Sequence, residues 1–143
     1  MFNVPQEVRG DAIVDVPCSF YNLGSATTEY LYIIAKIRKW DGTIETDIAE
    51  GSSPVWTAST QANLHNYNMR TAKVIVPATH FKRGEYLRLT VEAWAKGTVA
   101  NNDRVVIGHD PANRSGMDGE LYNRAWVSGA TILKLQLPLR IDT

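Results

Sequence analysis

Three histidines, one cysteine and a group of acids around a Gly-His-Asp-Pro segment are the residues of this 143-residue chain whose types could do chemistry. His65, His80 and His109 each fall in a stretch of loop or turn composition. None has a second histidine two, three or four residues away, so no local metal-binding pair exists. The segment Gly108-His109-Asp110-Pro111-Ala112-Asn113-Arg114 could supply a His–Asp pair for acid–base work, or a carboxylate to a cation site with Asp103, Asp118 and Glu120. The same residue types build a turn: Asp-Pro starts a bend, Asn accepts left-handed geometry, and Arg114 ties the loop to carbonyls or a carboxylate. A turn is therefore expected over residues 108–114. Asp118-Gly119-Glu120 lacks the alternating acids of a calcium loop. The nucleophile elbow, the phosphate loop and the dinucleotide fingerprint are all missing. Paired carboxylates for glycoside hydrolysis are defined by a separation in space, which a sequence does not contain. Cys18 excludes an intrachain disulfide and a thiolate zinc cluster. It shares parity with Val14, Val16 and Phe20, so it is expected as a small buried hydrophobe. The expectation is a protein with no catalytic residues, no cofactor and no metal.

The aromatic residues carry the stronger signal. Tyr30, Tyr32, Trp40, Tyr86 and Trp94 lie on the parity opposite the aliphatic face of the two longest periodic runs, interleaved with Lys36, Arg38, Arg88 and Lys96. A one-sided sheet ordinarily fills its wet face with Thr, Lys and Glu. Rings among cations suit a subunit interface, where Tyr, Trp and Arg are enriched. They also suit a sugar-stacking platform, or a face covered by the protein's own loops. The candidate interface residues are Phe2, Val4, Tyr30, Tyr32, Trp40, Trp56, Tyr86 and Trp94.

The elements that must position these residues have a period of two throughout, and no helix is expected. Strands are expected over about 12–21, 29–40, 43–48, 69–76, 86–96, 104–107 and 131–142. In the last, Leu133, Leu135, Leu137, Leu139 and Ile141 share one face, with Lys134, Gln136 and Arg140 on the other. Asp41-Gly42 between two runs predicts a tight hairpin of the type I′ kind. Pro77 is expected to stop the strand before it, and Pro17 and Pro138 to mark edges or bulges. Residues 50–68 and 108–129 read as long irregular connections, with Leu121, Tyr122 and Trp126 pinning the second; such loops are usually functional. The result is an all-β, antiparallel β-sandwich, jelly-roll or immunoglobulin-like, of seven to eight strands. Residues 1–10 form an extended N-terminal arm and residues 11–143 a single domain. The arm has no obvious partner in its own domain, so it is expected to pack on a neighbour.

Composition limits the partners. Lys+Arg and Asp+Glu are 15 each, which argues against a general nucleic-acid binder, and 44% hydrophobic content is too apolar for disorder. No run is long and apolar enough for a membrane helix, so no membrane partner is expected. The start, Met1-Phe2-Asn3-Val4-Pro5-Gln6-Glu7, has no signal-peptide pattern, and the sequon Asn113-Arg114-Ser115 is then read as coincidental.

The run His80-Phe81-Lys82-Arg83-Gly84-Glu85-Tyr86-Leu87-Arg88-Leu89-Thr90-Val91-Glu92-Ala93-Trp94, the Gly108–Arg114 heptamer and the closing Leu-x-Leu-Pro-Leu-Arg-Ile-Asp strand resemble small β-sandwich structural proteins of tailed viruses. The resemblance covers roughly residues 69–142. It implies a capsid decoration, cement or minor capsid role in the virion, with no catalytic residues to transfer. Phe20-Tyr21-Asn22-Leu23-Gly24-Ser25 ahead of a long strand is also similar to immunoglobulin-like adhesion modules. The expected function is therefore a non-enzymatic structural protein that assembles with copies of itself, a trimer by preference, and with a capsid or other multimeric scaffold. The alternative is a carbohydrate-binding or adhesion module, cytoplasmic or released without a signal peptide.

Overall fold

A computed structural model of the chain describes residues 1–21, 30–57, 65–96, 104–108, 117–119, 124–127 and 133–141. Within them the period-two pattern becomes eleven strand segments and no helix. These are β1 (Gln6–Tyr21), β2 (Tyr30–Trp40), β3 (Glu45–Ser52), β4 (Trp56–Thr57), β5 (His65–Phe81), β6 (Tyr86–Lys96), β7 (Arg104–Ile107), β8 (Met117–Gly119), β9 (Arg124–Val127), β10 (Lys134–Gln136) and β11 (Leu139–Ile141). Seven of them are four residues or longer. Every pairing is antiparallel.

Two sheets pack face to face as a β-sandwich. In the first, β1 runs at the centre: β5 pairs along its whole length on one side, and β11, β10 and β7 follow one another along the other. In the second, β2 is central, with β6 on one edge and β3 and β4 sharing the opposite edge. The core comes from alternate residues of three strands. Val8, Ala12, Val14, Val16 and Cys18 of β1, Leu31, Ile33, Ala35 and Ile37 of β2, and Ala72, Val74, Val76 and Phe81 of β5 are all buried. Each fully buried Val, Leu or Ile contributes about 1.5–3 kcal/mol relative to exposure. The Cys18 thiol lies among these aliphatics, where burial pushes its pKa up to about 11 against an opposing effect of Arg70.

Pro77 does not end its strand. β5 continues to Phe81 because an extra residue is accommodated there: Val8 faces Thr79 but Gly10 faces Val76, so β5 spends one residue more than β1 across the same interval. This is a β-bulge, one of the few places in a sheet that tolerates proline. It also flips the phase, which is why the buried residues run Ala72, Val74, Val76 and then Phe81. On the other side of β1 the closing strand is broken at Leu137–Pro138 into β10 and β11, and Pro138 packs against Gly10. Gly10 has φ +102°, so β1 bends where both neighbours carry proline. Pro17 sits inside β1 rather than at an edge. Its carbonyl accepts from Gly108 N–H at 2.8 Å, so its nitrogen faces the interval between β10 and β7, where no ladder bond is lost.

The predicted hairpin forms, but with a longer connection than a two-residue Asp-Gly turn. Trp40 pairs with Glu45, and residues 41–44 close the loop. Gly42 has φ +106°, and the Asp41 carboxylate accepts the Thr43 and Ile44 N–H groups at 2.7 Å each. These bonds, Ile44 first, hold the Asp41 carboxyl below its usual range. The irregular 50–68 stretch is shorter than expected, since β3 runs to Ser52, β4 covers Trp56–Thr57 and β5 starts at His65. Ser53 joins β3 to β4: its hydroxyl accepts from Ile33 N–H at 3.0 Å and donates to Pro54 C=O.

Residues 1–10 are extended, yet they are bound to their own domain and not held out for a neighbour. Gln6 begins β1, and Val8 is fully buried. Phe2 N–H donates to Glu85 C=O, Gly84 N–H donates to Phe2 C=O (both 2.9 Å), and the Phe2 and Phe81 rings meet at 4.7 Å. The docking platform is the turn after β5. Gly84, at φ +92° in its third position, matches a type II turn.

Candidate functional site

The outward face of β6–β2–β3 collects most of the aromatic candidates. Register alone places them: Tyr32 faces Trp94, Ile34 faces Glu92, Lys36 faces Thr90, Arg38 faces Arg88, and Trp40 faces Tyr86. On the other flank Glu50 faces Lys36, Asp47 faces Arg38 and Glu45 faces Trp40. A second bulge, at Ile48 opposite the Ile37–Arg38 step, sets that alignment. Before it, Glu45 and Asp47 point outward beside the arginines. After it, Ala49 and Gly51 point inward.

The face has an aromatic group at each end and a charged belt between them. At one end the Tyr32 and Trp94 rings lie nearly parallel, with centroids 6.4 Å apart, and Trp94 Nε1–H donates to Glu92 at 2.8 Å. Tyr30 continues this end. At the other end the Arg88 guanidinium covers the Trp40 ring at 4.5 Å, next to Tyr86. The two ends are about 26 Å apart along β2 at the usual rise of a strand. In the belt, Lys36 pairs with Glu92 and Arg38 with Glu45 and Asp47; Arg88 also reaches Glu45. Arg38 Nε lies 2.8 Å from Asp47 Oδ1 without an aligned N–H, so that contact is an ion pair and not a hydrogen bond. The Lys36 bond, with the Trp94 bond second, lowers the Glu92 pKa. The same salt bridge raises that of Lys36.

Five of the eight predicted interface residues are on this face. Tyr30 and Trp94 are each 48% exposed and Tyr86 41%, whereas Tyr32 and Trp40 are half-buried by their neighbours. The other three are elsewhere. Trp56 faces Leu31 on the inner side, is 8% exposed, and lies under Arg70 at 4.1 Å. Phe2 is packed on Phe81. Val4 is exposed on the N-terminal segment. The cations of the belt are legible in the sequence, but their partners Glu45 and Asp47 are not. Their shared parity was visible; the bulge that aligns them with Arg38 was not.

His80 is exposed, 3.6 Å from Glu7. Among the described residues no group of three or more His, Cys, Asp or Glu could hold a metal ion. The His109–Arg114 segment, Asp103, Glu120, Leu121 and Tyr122 lie outside the described residues, as do the side chains of His65, Asp118 and Trp126. Comparison with protein-family models, curated proteins and solved structures finds no match to this chain. The site must be read from its own chemistry.

Proposed function

We propose that this protein is a non-enzymatic structural protein of a virion, acting on the capsid surface as a decoration, cement or minor capsid component through protein–protein contacts. The observation that carries this reading is the outer face of β6–β2–β3, where Tyr30, Tyr86 and Trp94 remain nearly half exposed around a belt of paired charges. Large rings left in water are unfavourable, and proteins that keep them grouped usually use them to bind. Rings at the ends and charges between them give both affinity and a fixed orientation. The partners are further copies of the chain and a multimeric scaffold. The sequence resemblance to tailed-virus β-sandwich proteins supplies the virion setting.

One observation favours a second reading. The Tyr32–Trp94 pair, with Glu92 and Lys36 beside it, offers a flat apolar surface flanked by hydrogen-bonding groups, the chemistry of a sugar subsite. Trp94→Ala separates the two. Co-sedimentation of the variant with capsids, its mass in solution and its retention on immobilised glycans are measured beside the wild type. Lost capsid binding or a lower assembly state supports the structural role. Unchanged assembly with lost glycan retention overturns it in favour of the sugar reading.

A further inference from the structure

The outer edge of β6 is unusual. Among the described residues β6 pairs only with β2, so the other edge of this eleven-residue strand has no strand beside it. Its pairing with β2 has no register shift and the strand has no proline, so among the described residues neither a bulge nor a proline blunts the edge. Natural sheets usually disarm such an edge with a bulge, a proline or shortness. The inward residues Leu87, Leu89 and Val91 are only partly buried, and Ala93 is exposed, so the core is thin under this edge.

The order of side chains says what fits there. We propose that β6 pairs antiparallel with β6 of a second copy about a two-fold axis through Thr90, joining two sandwiches by one continuous sheet. In that register Arg88 faces the partner's Glu92, Tyr86 faces the partner's Trp94, and Thr90 faces the partner's Thr90. The Arg88–Glu92 and Tyr86–Trp94 pairs each occur twice by symmetry, and the Thr90 pair lies once on the axis. On the inner face Leu89 meets the partner's Val91, and Leu87 meets the partner's Ala93. Directly opposed residues share a face, so only registers keeping inner residues against inner ones are allowed. Among those that overlap seven or more residues, only this one brings opposite charges together. Centring on Val91 sets Arg88 against Trp94, and centring on Glu92 sets Arg88 against Lys96 and Glu92 against itself. Opposite charges and aromatic pairs placed directly across strands each stabilise pairing by about 0.2–1 kcal/mol. The inference rests on the assembly reading above and names the second copy as the partner, with a two-fold contact in place of the three-fold expected from sequence.

Thr90→Cys tests it on the full chain. Opposed Cα atoms in an antiparallel pair are roughly 4.5–5.5 Å apart, within disulfide range. Under mild oxidation this variant is expected to form a cross-linked dimer that a reductant reverses. The wild type and Lys134→Cys, on the other sheet, are expected to give none, the Cys18 thiol being buried. Native wild type should sediment at twice the 15.9 kDa chain mass. Charge reversal then checks the register. R88E alone and E92R alone should each be mainly monomeric, and an equimolar mixture of folded variants should regain the dimer, because each arginine then meets a glutamate. A monomeric wild type throughout the micromolar range, or cross-linking of Lys134→Cys as strong as that of Thr90→Cys, overturns the edge pairing. A larger oligomer without the Thr90→Cys cross-link also overturns it while leaving the assembly reading intact. A wild type that neither self-associates nor binds capsids removes the two together.

Discussion

Arg38 and Arg88 face each other directly across β2 and β6, and one carboxylate from a third strand, Glu45, binds both: Oε2 to Arg38 at 3.0 Å and Oε1 to Arg88 at 3.2 Å. Like charges in directly opposed positions destabilise a sheet, so Glu45 is what makes this register tolerable. Glu45→Gln keeps the shape and removes the charge. It is expected to cost about 0.5–1.5 kcal/mol in urea unfolding, the scale of a partly exposed charge network. The loss should shrink in high salt, which screens the exposed arginine repulsion. A loss independent of salt would show that Glu45 acts by packing and not by charge.

Two glycines should respond differently to a side chain. At Gly51 an added Cβ would overlap the Lys73 carbonyl oxygen, because the inward face of β3 meets the β5 backbone there. Gly51→Ala must push the sheets apart, at a cost of about 3 kcal/mol or more, the upper end of overpacking. Gly42 has open space around it and φ +106°. Gly42→Val should therefore lose about 1–2 kcal/mol through backbone strain alone. Equal losses in thermal melts would mean that the close approach of β3 to β5 is not maintained in solution.

The N-terminal segment is a structural clamp. Phe2→Ala removes a ring from Phe81 and should destabilise the domain by about 1–3 kcal/mol, below the range for a fully buried phenylalanine because Phe2 is only partly covered. Deleting residues 1–10 also removes Val8 from the core, so the truncated chain should melt well below the full one. An unchanged melting temperature would restore the idea of an arm waiting for a neighbour.

The same clamp should be sensitive to acid. Burial alone would raise the Glu85 pKa, but the Lys39 hydrogen bond, the Lys82 N–H bond and the charges of both lysines outweigh it, and the pKa is lowered. A carboxylate with a depressed folded pKa contributes stability above its unfolded value, roughly 4.3 for Glu, and loses it as pH falls through the folded value. Glu85→Gln should melt lower than the wild type at neutral pH, with the gap narrowing in acid below about pH 4. A gap that stays constant across that window would exclude Glu85 as an acid-sensitive contact.

Truncating the exposed rings should separate assembly from folding. Trp94→Ala leaves the core untouched, because the ring lies on Tyr32 outside the sandwich. Its melting temperature should change little, whereas self-association or scaffold binding should weaken at least about tenfold if the ring is an interface hot spot, about 1.4 kcal/mol or more. Equal binding by variant and wild type would remove Trp94 from the contact.

The sequence by itself determined the all-β class, the two faces of β2 and β6, and which rings point outward, since alternation in a strand is a local property of the backbone. The β6 bounds, Tyr86–Lys96, and the buried set Leu31, Ile33, Ala35 and Ile37 were legible for that reason. Tertiary structure decided the rest. Pro77 reads as a terminator until β1 is beside it, when Gly10 allows a bulge and β5 continues to Phe81. Phe2 has no partner in the linear sequence because the turn that holds it, at Gly84 and Glu85, is some eighty residues away. Trp56 shares its type with Trp94 but faces Leu31 in the core, a placement set by pairing with β2 and not by any local pattern. Glu45 and Asp47 became partners of Arg38 only through the bulge at Ile48. Periodicity specifies faces; which strands lie side by side, and with what slip, depends on contacts between distant residues, and those place the aromatic groups and charged belt of the outer face.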